Sequence, residues 1–191
     1  MTTSRLEAFS DGVLAIVITI MVLEMKAPEG ADFQSLMPVV PKFLSYILSF
    51  IYIGIYWNNH HHLFQAIEKI NGTVLWANLL LLFALSLVPF TTAWMGENHF
   101  DKNPVTLYGI NLLFCAFGYI ALERSTLKVE GKGSKIEQAL KSRTKEYTSI
   151  SLYIVGLLGS YFAPIIGMAC YTVVAILWLC PDRRIEKTLK S

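Results

Sequence analysis

A chain of 191 residues with 54% hydrophobic and 16% charged side chains and a mean hydropathy of +0.49 is too apolar for a soluble domain, where about 45–50% apolar and about 25% charged residues are usual. The formal net charge of +2 gives no basis for nucleic-acid binding. Cys115, Cys170 and Cys180 are odd in number and all lie in apolar segments, which excludes a disulfide framework and offers no C-x-x-C metal spacing.

The composition points to an all-α polytopic membrane protein. A helix needs about 20 mainly apolar residues to cross the hydrocarbon, and six segments read as spans: 6–25, 39–63, 73–96, 105–124, 143–163 and 164–181. Together they make one domain, 1–191. The first apolar run continues as a full span and has no A-x-A cleavage site, so no removable leader is expected. The fifth and sixth spans meet at Ala163-Pro164. The connection from Glu123 to Glu146 carries Arg124, Lys128, Lys132, Lys135, Lys141, Arg143 and Lys145, and the tail adds Arg183, Arg184, Lys187 and Lys190. The opposite connections carry Glu24, Glu29, Asp32, Glu97 and Asp101. This asymmetry places both termini in the cytoplasm of a cell-membrane protein. Trp57, Trp76, Trp94 and Trp178 fall near span ends, as interfacial aromatics do.

The first span begins RLEAFSDGVLAIVITIMVL. With about 100° per residue, Phe9, Gly12, Ile16, Ile20 and Leu23 form one narrow stripe, flanked by Val13 and Thr19. Ser10 and Asp11 fall on the opposite side. Each could simply cap the helix and stay wet. The second span, however, ends YWNNHHHLFQ and the third begins VLWANLLLLF. Because those helices run in opposite directions, Trp57, Asn58, Asn59, His60 and Asn78 lie at the depth of Ser10 and Asp11. Polar groups on three helices at one depth can satisfy one another and hold the first helix at a set rotation. From residue types alone, the aliphatic stripe fits lipid, bundle core or a pore lining.

The run R-x-x-x-F-S-D at Arg5, Phe9, Ser10 and Asp11, followed by Ala15, Ile16 and Thr19, resembles the transmembrane protein 175 family. So do W-x-x-H-x-x-L-F-Q at Trp57, His60, Leu63, Phe64 and Gln65, and the Asn78, Pro89 and Phe90 pattern in the third span. That family comprises the lysosomal potassium channel of animals and its bacterial relatives. The resemblance implies six helices per repeat with the first lining a pore, and a single repeat assembling as a homotetramer in the bilayer. It implies a potassium-permeable pore for monovalent cations, with Ile16 as the narrowest ring, extended by Ile20 and Leu23 and flanked by Thr19. It also implies an inter-helix network of Arg5, Phe9, Ser10, Asp11, Trp57, His60 and Asn78. His61 and His62 receive no role. No cofactor is expected beyond the permeant potassium ion.

The chain has no T-V-G-Y-G-like loop to replace a hydration shell with carbonyls. Rings of isoleucine instead set a width and a dehydration barrier, and can close by dewetting. Potassium gives up water more readily than sodium, so modest potassium selectivity is expected. The chief alternative is a small proton-coupled transporter using Asp11 and His60; such proteins usually show midplane charges and broken helices, whereas here the midplanes are apolar and unbroken except near Pro89 and Gly156/Gly159, which is poor support. A haem or quinone subunit is a weaker one, because His60, His61 and His62 point about 100° apart and cannot converge on one ion. No G-x-S-x-G or H-E-x-x-H motif suggests an enzyme. His60 beside Asp11 would allow a pH response; a neutral, hydrogen-bonded histidine is the simpler reading.

Overall fold

The computed structural model describes residues 2–134, 136–137, 140 and 143–179, and among these every regular element is helical. Lys135, Lys141, Cys180 and the basic tail lie outside the described residues. Helix α1 spans Thr3–Leu23. A 3₁₀ helix at Phe33–Val39 leads into α2, Val40–Gln65. Then come α3, Gly72–Ser86; α4, Val88–Glu97; α5, Lys102–Glu130; α6, Thr144–Phe162; and α7, Pro164–Leu179. Since α3 and α4 stack end to end, the chain makes six helical columns.

The helix starts are written in short polar side chains. Thr2 accepts from the Arg5 amide, Asn71 from Val74 and Asp101 from Lys102, which satisfies amides that the first turn leaves unpaired. The break between α3 and α4 follows from Pro89 at the second position of α4. Proline lacks an amide hydrogen and its ring collides with the carbonyl four residues back, so the column bends there. The third span, 73–96, is thus interrupted near Pro89, where the sequence marks a break. α5 ends where Gly131 adopts φ 85°, a left-handed conformation that favours glycine, with its amide bonded to the Leu127 carbonyl.

Four segments are long and apolar enough to cross a bilayer by themselves: α1, the 3₁₀ helix with α2, α3 with α4, and α5. α7 is apolar but has 16 residues, about 24 Å at 1.5 Å per residue. α6 opens with Lys145 and Glu146 in its first turn, which leaves it an apolar stretch no longer than α7. These two form a tight hairpin. A Cβ on Gly156 would stand 2.7 Å from Tyr171 Cε1 and 3.0 Å from Cys170 Cβ, so only glycine permits the approach. In lipid, where there is no hydrophobic drive between helices, such close packing supplies much of the association.

α5 is the hub, packing on α3, α4, α6 and α7, whereas α1 packs chiefly on α2, α3 and α4. The first helix thus occupies one flank and the α6–α7 hairpin the other. Buried hydroxyl pairs join the middle: Ser49 Oγ lies 2.7 Å from Thr92 Oγ1 and 3.0 Å from the Tyr108 hydroxyl. At the acidic end, Lys42 Nζ donates to Glu97 Oε1 at 2.9 Å, tying α2 to α4. Replacing Gly156 by leucine is expected to destabilise the bundle by about 1–3 kcal/mol through overpacking, read as a lower midpoint of thermal unfolding in detergent.

Candidate functional site

Helix α1 has two faces of unlike chemistry. Leu6, Ser10, Leu14, Val17 and Met21 are buried against the neighbouring helices. The other face is open: Ile16 is 59% exposed, Leu23 77%, Phe9 50% and Ile20 41%. Gly12, Ala15 and Thr19 lie exposed between them. The whole aliphatic stripe therefore points away from its own chain. Thr19 Oγ1 donates to the Ile16 carbonyl at 2.9 Å, leaving its oxygen lone pairs turned outward. A groove along this face is lined by Val13, Ile16, Ile20, Pro89, Phe90 and Trp94, where the bent α3–α4 column runs beside α1.

The buried face is held by three sets of polar contacts. Ser10, fully buried, donates to the Leu6 carbonyl at 2.9 Å and accepts from Asn78 Nδ2 at 3.0 Å. Asn78 Oδ1 in turn lies 2.8 Å from His60 Nε2. This pattern requires the histidine hydrogen on Nε2. Its ring stacks on Phe64 at 4.4 Å, and Nδ1 has no partner among the described residues. Beside this chain, Trp57 Nε1 donates to Asp11 Oδ1 at 3.0 Å. One turn earlier in α1 and one turn later in α2, Glu7 Oε1 lies 2.6 Å from His61 Nδ1. Antiparallel helices in contact bring such turns together in register. Gln65 Nε2 then reaches His61 Nε2 at 2.9 Å.

Ser10, Asp11, Trp57, His60 and Asn78 are thus brought together, while Arg5 and Phe9 are not. Both lie on the open face, about 100° or more from the anchored residues. The Arg5 side chain makes no hydrogen bond or ion pair among the described residues. Asn58 is likewise outside the set, and Asn59 Nδ2 bonds the Ile55 carbonyl of its own helix. Sequence reasoning missed Glu7 and His61. The available signal was that Glu7 precedes Asp11 by one turn as His61 follows Trp57 by one turn. Among the described residues no group of three or more His, Cys, Asp or Glu is placed to hold a metal ion.

In a low-dielectric interior, unpaired polar groups cost more than in water. Asn78→Ala strands both Ser10 and His60 and is expected to cost about 1–3 kcal/mol. Ser10→Ala should cost less. Asp11→Asn, which keeps a carbonyl acceptor for Trp57, should cost least. Thermal unfolding of the three variants in detergent checks that order.

Comparison with known proteins bears on this geometry. A family model described as the endosomal/lysosomal potassium channel TMEM175 matches residues 5–89, the region that contains the anchor and the open face. A potassium channel of Chryseobacterium sp. (strain P1-3) is 58% identical over 191 residues, 100% of both chains. A potassium channel of Streptomyces collinus is 38% identical over 99 residues, covering 50% of this chain and 48% of that one. The mouse endosomal/lysosomal proton channel TMEM175 is 30% identical over 143 residues, 66% of this chain and 29% of that longer protein. The crystal structure of a lysosomal potassium-selective channel TMEM175 homologue from Chamaesiphon minutus superimposes with a TM-score of 0.82 at 28% identity, over 94% of this chain and 97% of that one. These relatives are channels rather than enzymes, and the apolar helices make the present protein a multi-pass membrane protein. With a relative matched from end to end, the family model on its first half and the shared fold, the chain belongs to the TMEM175 family of channels.

Proposed function

We propose that this chain forms a potassium-permeable cation channel, as four copies around one axis with α1 from each lining the path. The observation that carries the reading is the open aliphatic face of α1 opposite a hydrogen-bonded back. A helix adrift in lipid has no need of a fixed rotation. A helix that must present the same four or five side chains to a shared axis does. The relatives named as potassium channels support the choice of ion, and the groove beside Phe90 and Trp94 offers a seat for the neighbouring copy. Repeating one head-to-tail contact around an axis closes a ring.

On this reading Ile16, Ile20 and Leu23 form successive apolar rings, with Thr19 adding a ring of acceptor oxygens. Ions pass such rings partly hydrated, so the barrier is the cost of shedding water, which is lower for potassium than for sodium. When the ring narrows, it empties of water and closes. Gate and selector are then one structure, and selectivity is modest. The basic end of the bundle, where α1 begins, faces the cytoplasm of the cell membrane by the excess of Lys and Arg there. The bilayer, the permeant monovalent cations and three further copies of the chain are the partners required; no cofactor enters.

Ile16→Asn, reconstituted in liposomes, is expected to raise potassium flux about tenfold, the effect of removing about 1.4 kcal/mol from the barrier. The potassium-to-sodium ratio should flatten at the same time. Unchanged permeation in that variant removes Ile16 from the path. Saturable flux driven by a proton gradient, without single-channel steps, would favour a transporter instead.

A further inference from the structure

At the same end of the bundle as the anchor, but on the side of α2 turned away from α1, lies a cavity of about 40 Å³. A single water needs about 10–15 Å³ of such space, so the cavity has room for a group of a few heavy atoms. Its walls carry five aromatic rings, Tyr52, Tyr56, Tyr119, Tyr153 and Trp178, and one carboxylate, Glu146. They come from α2, α5, α6 and α7, at positions one or two turns apart on each facing helix.

The polar atoms of these walls are mostly committed to the protein itself. The Tyr52 hydroxyl donates to the Tyr171 carbonyl at 2.6 Å and that of Tyr119 to the Asn59 carbonyl at 3.2 Å. Trp178 Nε1 donates to Ser149 Oγ at 2.8 Å. Glu146 is different. It is 7% exposed, and its Oε2 is buried with no hydrogen-bond partner among the described residues. A carboxyl oxygen left unpaired in such surroundings calls for a donor or a cation. Trp178 already takes a cation: the Lys145 ammonium stands 5.4 Å from its ring centroid.

We propose that this cavity binds a small alkylammonium ion, of methylammonium to trimethylammonium size, with Glu146 as counter-ion and the four tyrosine rings as its cage, Trp178 being the wall that already holds the Lys145 ammonium. Aromatic faces attract ammonium groups through their quadrupole, and more strongly where water is excluded. An anion would meet the carboxylate, and an uncharged apolar guest would leave Oε2 unpaired. A bare alkali ion needs several oxygen ligands, and the surface this cavity presents is almost wholly apolar. The site stands apart from the proposed pore and does not depend on the channel reading.

The test is isothermal titration calorimetry and thermal unfolding of the purified full chain in detergent. Methylammonium or trimethylammonium chloride is titrated against potassium chloride at equal ionic strength. Saturable heat and a rise in the unfolding midpoint specific to the alkylammonium are expected. Glu146→Gln should weaken binding at least tenfold, and Ala116→Leu, which fills the cavity from α5, should do the same while leaving the carboxylate in place. Ile16→Asn should bind as the parent does, which separates this site from the pore. The proposal is overturned if alkylammonium acts no differently from potassium, or if folded Ala116→Leu protein binds unchanged; should Glu146→Gln not fold, Ala116→Leu alone decides.

Discussion

The buried chain from Ser10 through Asn78 to His60 is the constraint on which the rest of the arrangement rests. Each member sits where water is excluded, so each needs its neighbour's donor or acceptor to avoid an uncompensated polar group. Because the three come from α1, α3 and α2, satisfying them sets both the depth and the rotation of α1. The flanking pairs, Asp11 with Trp57 and Glu7 with His61, resist sliding of α1 along α2. Packing of aliphatic side chains alone would tolerate a turn of the helix; directional hydrogen bonds do not.

That constraint matters because α1 is peripheral. It lies on one flank of the bundle, touching chiefly α2, α3 and α4, so the half that carries the aliphatic stripe is largely exposed among the described residues. The side chains on that half combine bulk at Ile16, Ile20 and Leu23 with small groups at Gly12 and Ala15. A Cβ at Gly12 would meet nothing within 4 Å, so close packing inside the chain does not account for the small residue. The bend at Pro89 shapes the groove beside this surface by carrying Phe90 and Trp94 alongside Ile16 and Ile20. One backbone break and one polar anchor thus define the face together.

The remaining helices form the counterweight. α5 holds α3 and α4 on one side and the α6–α7 hairpin on the other, through hydroxyl pairs and through glycine contacts such as Gly118 against the Leu81 backbone. In lipid such contacts replace the burial of apolar area that drives packing in water. Where α2, α5, α6 and α7 come together near the first turn of α6, the large tyrosine rings leave a gap that includes Glu146. A carboxylate there is well placed relative to the positive end of the α6 dipole.

Bilayer thickness acts on composition and length, so the six columns and their order were legible from hydropathy alone. The two-faced character of α1 was legible too, because helical periodicity is a property of one segment and needs no knowledge of its neighbours. Even the shared depth of Ser10, Asp11, Trp57, His60 and Asn78 followed from the direction in which each helix runs through the membrane. What sequence could not supply was the angle at which one helix meets another. Only the packed structure decided that Asn78 bridges Ser10 and His60, that Glu7 finds His61, and that Arg5 and Phe9 turn away from the group. It alone assembled five distant aromatics around Glu146. Periodicity fixes where a side chain points on its own helix; what it meets depends on crossing angles and close approaches set by every helix at once.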